Sequence, residues 1–374
     1  MKDNNLFTLL GRDNKSAARR GRLNLPRGAA ETPAFMPVGT QGALKAMTPD
    51  QMQEVGAKIV LANTYHLAWR PGEKIISKLG GLHDFSGWQG SMLTDSGGFQ
   101  VFSIKHKEIS EDGVTFRYES DGTAEFFSPE RAIQIQEDLG ADIIMAFDEC
   151  IPYPATREYA RQSTKRTIRW ATRCLEAHKR EGQNLFGIVQ GSVFPELRRD
   201  CARAIGDLPF DGLAVGGVSV GEGLDLLKTV LDLTEPHLPV HHVRYLMGVG
   251  FPEDILESVE RGMDIFDCVI PSRMARSGTL FTPFGKIRLT NKKYRKDAYP
   301  VDTACDCYTC SRRFSRAFLR HLILSKEVLG STLCTIHNMR YYQKLMEDIR
   351  QAIEEGRFAE HKRETIAKLK EREH

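Results

Sequence analysis

Eight short apolar or β-branched runs recur along the first three-quarters of this chain, separated by stretches of helical pattern. They are Ala34–Val38, Ile59–Ala62, Ser91–Thr94, Ile143–Phe147, Leu185–Val189, Leu213–Val215, Tyr245–Val249 and Ile265–Ile270. Between many of them lie helical patterns: Thr48–Val55, Pro129–Leu139, Ala155–Lys179, Pro195–Ile205, Gly223–Leu233 and Pro252–Arg261. Several of these open with proline, as first helical turns do. Strands alternating with helices imply a parallel sheet. Eight such strands over about 250 residues predict an α/β fold closed as a (β/α)8 TIM barrel. The alternative is an open doubly wound sheet, but no Gly-x-Gly-x-x-Gly follows the first strand.

Polar residues cluster where the runs end. Asn63, Asp95, Asp148, Gln190, Gly216, Gly217, Met247, Gly248 and Asp267 fall at or near their C-terminal ends. Barrel active sites are built at that face from several strands. One such Asp could merely cap a helix; the repetition across strands is what points to a site.

The texture changes at about residue 290. We expect a catalytic barrel over 1–290, a zinc-binding subdomain packed on it over 291–358 and a charged C-terminal tail over 359–374. In the second of these, Cys305-Asp-Cys307-Tyr-Thr-Cys310 is followed by His337. Three thiols in six residues and one imidazole make a tetrahedral set for zinc. Four protein ligands close the site, so this ion should be structural, one per subunit. Cys334 is a rival fourth ligand, and His321 reads as a packing residue in an apolar helical pattern. The other cysteines are scattered singly, as in reduced cytosolic chains.

Whole-chain numbers agree with a cytoplasmic protein. Hydrophobic residues make up 41% and charged residues 27%, and no run approaches a membrane span. The net charge of +3 does not announce a nucleic-acid partner. Its distribution is more informative: six of the eleven residues from Lys286 to Lys296 are basic, and none is acidic. Such a run, including Lys292 and Lys293, could track phosphates or be a solvated loop.

The residues suggest chemistry. Asp95, in Thr-Asp-Ser-Gly-Gly-Phe-Gln, and Asp267, set among apolar neighbours, come from different strands. Two carboxylates facing one pocket are the equipment for displacement at a sugar anomeric carbon. The Asp148 carboxylate, the Gln190 amide and the Gly216-Gly217 backbone suit a purine edge such as that of guanine. Phe99, Tyr245 and Met247 could supply stacking faces. Arg273 and Arg276 put positive charge close after Asp267.

With these residues assembled, the chain resembles the bacterial tRNA-guanine transglycosylases, also called queuine tRNA-ribosyltransferases. The motifs are Asn63-Thr-Tyr-His-Leu67, Thr94-Asp-Ser-Gly-Gly-Phe-Gln100, Met145-Ala-Phe-Asp-Glu-Cys150, Ile188-Val-Gln-Gly191, Tyr245-Leu-Met-Gly-Val-Gly250 and the Cys3His set. The resemblance runs from about Phe7 to Phe358. It implies exchange of guanine at wobble position 34 of GUN-anticodon tRNAs for 7-aminomethyl-7-deazaguanine, a step of queuosine biosynthesis. Asp267 matches the nucleophile, giving a covalent enzyme–RNA intermediate, and Asp95 the general acid/base. Asp148, Gln190 and Gly217 match base-recognition positions, with Phe99 and Met247 stacking on the base. Cys150 and Val220 match the bacterial pocket-size pattern, and Glu222 is placed to meet an aminomethyl ammonium. Arg273 and Arg276 match the region contacting the anticodon loop. The resemblance also implies a homodimer. Rival readings are a non-catalytic tRNA-binding paralogue, an archaeal-type enzyme and an unrelated zinc hydrolase using His66, His83 or His106.

Overall fold

The strands form as the apolar runs require. In the computed structural model, which describes residues 6–118, 122–218 and 223–371, they are β1 (Ala34–Gly39), β2 (Ile59–Ala62), β3 (Ser91–Thr94) and β4 (Ile143–Met145). β5 (Asn184–Val189), β6 (Gly212–Val215), β7 (Val243–Leu246) and β8 (Ile265–Cys268) follow. They pair in chain order, every pairing is parallel, and β8 returns to β1 to close the barrel. Alternate residues explain the continuous apolar character. Met36, Val38, Ile59, Leu61, Leu93, Ile143, Met145, Phe186 and Ile188 belong to an inner cluster. Their neighbours Phe35, Val60, Met92, Ile144, Leu185 and Val189 join an outer cluster shared with the helices. Strands covered on both faces carry little polar alternation.

The helix boundaries are local chemistry. Thr48 and Gln51 make a reciprocal capping box, and the Ser128 and Thr156 hydroxyls accept from the third residue of their helices. Pro49, Pro129, Pro195 and Pro252 occupy first turns, where the missing N–H is not needed.

An antiparallel sheet (Phe7–Arg12, Arg19–Leu23 and Ala30–Thr32) precedes the barrel. Its Leu6, Phe7, Leu23 and Ala30 enter the inner cluster and plug the N-terminal end. Arg19 locks the plug. Its Nε donates to Asp264 Oδ1 at 2.9 Å, just ahead of β8, and its Nη1 donates to Val240 O at 2.7 Å. Arg19 and Asp264 are both buried, and breaking such an ion pair costs about 3–5 kcal/mol. A second antiparallel sheet (Lys107–Ile109, Val114–Arg117 and Ala124–Phe127) is inserted after β3.

After β8 come a helix (Ile270–Arg276), a hairpin (Thr279–Thr282 and Gly285–Arg288), the cysteine segment, a helix (Arg316–Leu324) and a 27-residue helix (Val328–Glu354). That last helix lies against the barrel. Gln343 Nε2 donates to Phe35 O at 3.1 Å, Arg350 Nη1 to Pro33 O at 2.7 Å, and Tyr342 OH to Gly250 O. It therefore covers β1 as an outer-ring helix while carrying His337.

Several expectations need correction. The seventh strand is Val243–Leu246 rather than Tyr245–Val249, because Arg244 lies within it, buried and bonded to Glu235 and Leu238 O. The eighth stops at Cys268, since a helix starts at Ile270. His321 is exposed rather than packed. Most of the charged tail expected over 359–374 belongs to the helix Phe358–Lys370, anchored by buried Phe358 and by Lys362 on Glu257 and Glu260. The basic run is ordered as a strand followed by a 3-10 turn (Lys292–Lys296). Among the described residues, no helix is long and apolar enough to cross a membrane.

Candidate active site at the strand ends

A cavity of about 530 Å³ opens at the C-terminal ends of the strands. Asn63, Asp95, Asp148, Gln190, Gly217, Met247 and Asp267, from seven different strand ends or following turns, all line it. Phe99, Cys150 and Arg273 line it too. Arg276, Lys286, Lys292 and Lys293 do not; they lie exposed outside it, with Lys286 Nζ 4.8 Å from the centre of the Phe251 ring. Val220 and Glu222 lie outside the described residues.

Asp267 is the third residue of β8. Its Oδ1 accepts from Tyr245 OH at 2.6 Å and from Gly248 N at 2.8 Å, which leaves Oδ2 for another partner. Burial raises its pKa above the usual carboxylate range, and those two donors oppose the rise. Asp95 follows β3 directly. Its Oδ1 accepts from Thr64 N at 2.9 Å and Gly97 N at 3.1 Å, and its Oδ2 accepts from Asn63 Nδ2. Burial nevertheless pushes its pKa up to about 7; the Asp267 charge adds to the rise and the three donors restrain it. Two carboxylates that feel each other, one of them poised near neutrality, can divide nucleophile and proton-transfer roles.

Beside them is a polar row. Asp148 Oδ2 accepts from Gln190 Nε2 at 2.6 Å and its Oδ1 from Ser96 Oγ at 3.3 Å. Burial lifts the Asp148 pKa to about 6. Gln190 is buried, and its Oε1 has no hydrogen-bond partner among the described residues. The two glycines exist for this contact. A Cβ on Gly216 would stand 2.8 Å from Gln190 Nε2, and one on Gly217 2.3 Å from Gln190 Oε1. Gly217 also has φ +63°, a conformation that favours glycine.

Three residues have roles at the site that the sequence does not announce. Arg198 is fully buried under the Gly216-Gly217 turn; the available signal was an arginine within the apolar stripe Leu197, Cys201, Ala202, Ile205. Tyr245 reads as core and is core, but its hydroxyl reaches Asp267. His66 lines the cavity with its pKa lowered by burial and by the Lys45 charge. Glu149, between two lining residues, faces away: its carboxylate takes Tyr159 OH at 2.6 Å and pairs with Arg166.

The cysteine cluster stands apart from this cavity. One donor atom from each of Cys305, Cys307, Cys310 and His337 lies within 4.8 Å of the others. His337 Nδ1 is 3.3 Å from Cys310 Sγ and 3.8 Å from Cys307 Sγ. Edges of a tetrahedral zinc site with bonds near 2.0–2.3 Å are about 3.6 Å, so the donor set fits the ion. His337 Nε2 bonds to Phe281 O at 2.8 Å, which turns Nδ1 toward the thiols. Cys334 is buried outside the cluster, its thiol pushed up to about 12 by burial, and is a packing residue.

The fold and these convergent groups define the class first: a (β/α)8-barrel enzyme whose site is assembled from strand ends, with a separate Cys3His cluster. Comparison with known proteins gives the family. The family model described as queuine tRNA-ribosyltransferase matches residues 13–371. Curated proteins named queuine tRNA-ribosyltransferase from Caldanaerobacter subterraneus and Halothermothrix orenii are 53% and 52% identical, each over 97% of both chains. That from Symbiobacterium thermophilum is 53% identical over 96% of this chain and 90% of its own. The chain belongs to the queuine tRNA-ribosyltransferase family and is thereby a pentosyltransferase.

Proposed function

We propose that the chain exchanges guanine at wobble position 34 of GUN-anticodon tRNAs for 7-aminomethyl-7-deazaguanine. The observation that carries the reading is Asp267: one oxygen is held by Tyr245 and Gly248, the other is available, and Asp95 shares the cavity. Asp267 Oδ2 attacks the ribose C1′ as the bond to guanine breaks, leaving an aspartyl–ribose ester. Asp95, with a pKa of about 7, supplies a proton to the departing base. It then takes one from the incoming base as that base displaces Asp267. Two inversions retain the sugar configuration. Asp148 accepts from the N–H edge of the base, while the Gln190 side-chain amide and the Gly217 backbone are the remaining polar partners. Phe99 and Met247 flank the ring, and Arg273 takes backbone phosphate at the mouth. Zinc held by Cys305, Cys307, Cys310 and His337 would be a structural clamp with no part in the chemistry.

The test is incorporation of labelled guanine into unmodified tRNA carrying a GUN anticodon, beside Asp267→Asn. Exchange by the native chain, a denaturant-stable RNA adduct, and loss of both in the variant are expected. A folded, zinc-loaded native chain that bound this tRNA without exchange would sink the reading in favour of a non-catalytic binding subunit.

A further inference from the structure

Arg198 is fully buried, and four of its hydrogen bonds go to main-chain carbonyls around the base-binding row. Nε donates to Ser192 O at 2.6 Å. Nη1 donates to Val189 O at 3.2 Å and Gly216 O at 2.8 Å, and Nη2 to Gly217 O at 3.1 Å. One planar cation thus ties the end of β5 to the turn after β6. A guanidinium does this because its five donors lie in a rigid fork.

Peptide geometry gives the consequence. In a trans peptide the C=O of one residue and the N–H of the next point in opposite directions. With the Gly216 and Gly217 carbonyls both drawn to Arg198, the N–H groups of Gly217 and Val218 point away from it. Gly216, Gly217 and Val218 line the cavity, and Arg198 does not. Neither N–H has a hydrogen-bond acceptor among the described residues. Two adjacent N–H groups turned to one side form a concave donor pair that suits a carbonyl oxygen.

We infer that Arg198 is a positioning residue for base selection: it presets the Gly217 and Val218 N–H groups as a two-donor clamp for the 6-oxo group of a guanine-type base. This rests on the base-exchange reading above. Gln190, packed where any side chain on Gly217 would be, holds the turn from the other side. Both supports are in place before the base arrives, so the clamp loses little ordering entropy on binding.

The experiment compares guanine with 6-thioguanine, which keeps the N–H edge facing Asp148 but offers sulfur, a weaker acceptor, at position 6. Guanine KM and kcat and the 6-thioguanine inhibition constant are measured with native chain, Arg198→Lys and Arg198→Gln, alongside melting temperature and tRNA affinity. The expected result is a rise in guanine KM of about 10- to 100-fold in Arg198→Gln, with kcat within about threefold and 6-thioguanine affinity nearly unchanged. Arg198→Lys should recover part of the loss. Equal weakening of both bases, or no change in either, would overturn the assignment while leaving base exchange intact. Absence of guanine exchange by the native chain would overturn both. Should the variants not fold, amide exchange in the native chain decides. Guanine should slow exchange in the segment 212–218 far more than 6-thioguanine does, and equal protection would overturn the clamp.

Discussion

The strand-end cavity and the Cys3His cluster both gather ionisable side chains from distant parts of the chain, yet they are finished differently. In the cluster each donor faces the others, three of the four residues are buried, and His337 is fixed from behind by Phe281 O. Nothing is left over for a substrate. In the cavity the groups are held but, among the described residues, not saturated: Asp267 keeps one oxygen, Gln190 one oxygen, and Asp95 and Asp148 are protonated far more readily than ordinary carboxylates. Saturation marks a clamp, and controlled incompleteness marks a site. Removing a clamp residue should therefore damage the fold, and removing a site residue should damage the reaction.

The largest effect expected on the site side is that of Asp267→Asn. An amide is a poor nucleophile, so guanine exchange should fall by about 10⁴-fold or more. The melting temperature should stay within a few degrees, because Asn can still accept from Tyr245 and Gly248. A loss of more than about 10 °C would erase the distinction between clamp and site. Cys307→Ser should do the reverse. Bound zinc measured by atomic absorption should be lost, and melting should fall steeply, because the helix bearing His337 also covers β1. A zinc-free variant that melted with the native chain would show that the cluster is not a clamp.

How much of this contrast is legible in the sequence follows from range. The eight barrel strands are readable because strands buried on both faces are apolar runs bounded by turns. The candidate metal ligands are readable because three lie within six residues. Asp95 and Asp267 stand out as charges at strand ends. Their partners do not: Tyr245 is 22 residues from Asp267, and Asn63 is 32 from Asp95. The Arg19 plug is hidden for the same reason, because Arg19-Arg20-Gly21-Arg22 has no strand-like composition until Asp264 is brought against it. Arg198 is the extreme case, since its acceptors are carbonyls that any residue could supply. The start of the Val328–Glu354 helix is hard to read because its first turns expose Val328 and Leu329 and carry Gly330, masking the amphipathic pattern.

A smaller effect tests the proton role proposed for Asp95. As the acid in the first displacement it must be protonated, and as the base in the second it must be ionised. With a pKa of about 7 both forms are populated near neutrality. The kcat profile for guanine exchange should be bell-shaped with its maximum near pH 7, and Asp95→Asn should flatten it while lowering kcat by about 10²–10⁴-fold. A profile level from pH 5 to 9 in the native chain would remove Asp95 from proton transfer.

The smallest expected effect discriminates most sharply, because it has a sign. The folded-state pKa of Asp148 is about 6, against an ordinary value of 3.8, owing chiefly to burial. A carboxylate raised in this way binds its proton more tightly when folded. Its contribution is fully present below about pH 4 and is lost as pH rises through about 6, leaving a buried charge above that. Asp148→Asn removes that charge at little geometric change: the new amide oxygen can still accept from Ser96 Oγ. Gln190 can turn its amide so that its unpartnered Oε1 accepts from the new N–H. Relative to the native chain, the variant should therefore gain stability progressively from pH 4 to pH 8, reaching about 1–2 kcal/mol by denaturant melts. Over the same range its guanine KM should rise, since the acceptor for the N–H edge is weakened. No clamp residue could behave this way, because removing one leaves its partners unsatisfied at every pH. A variant destabilised at pH 8 as much as at pH 5 would mean that Asp148 is held for the fold, and the boundary between clamp and site would have to be redrawn around the barrel mouth.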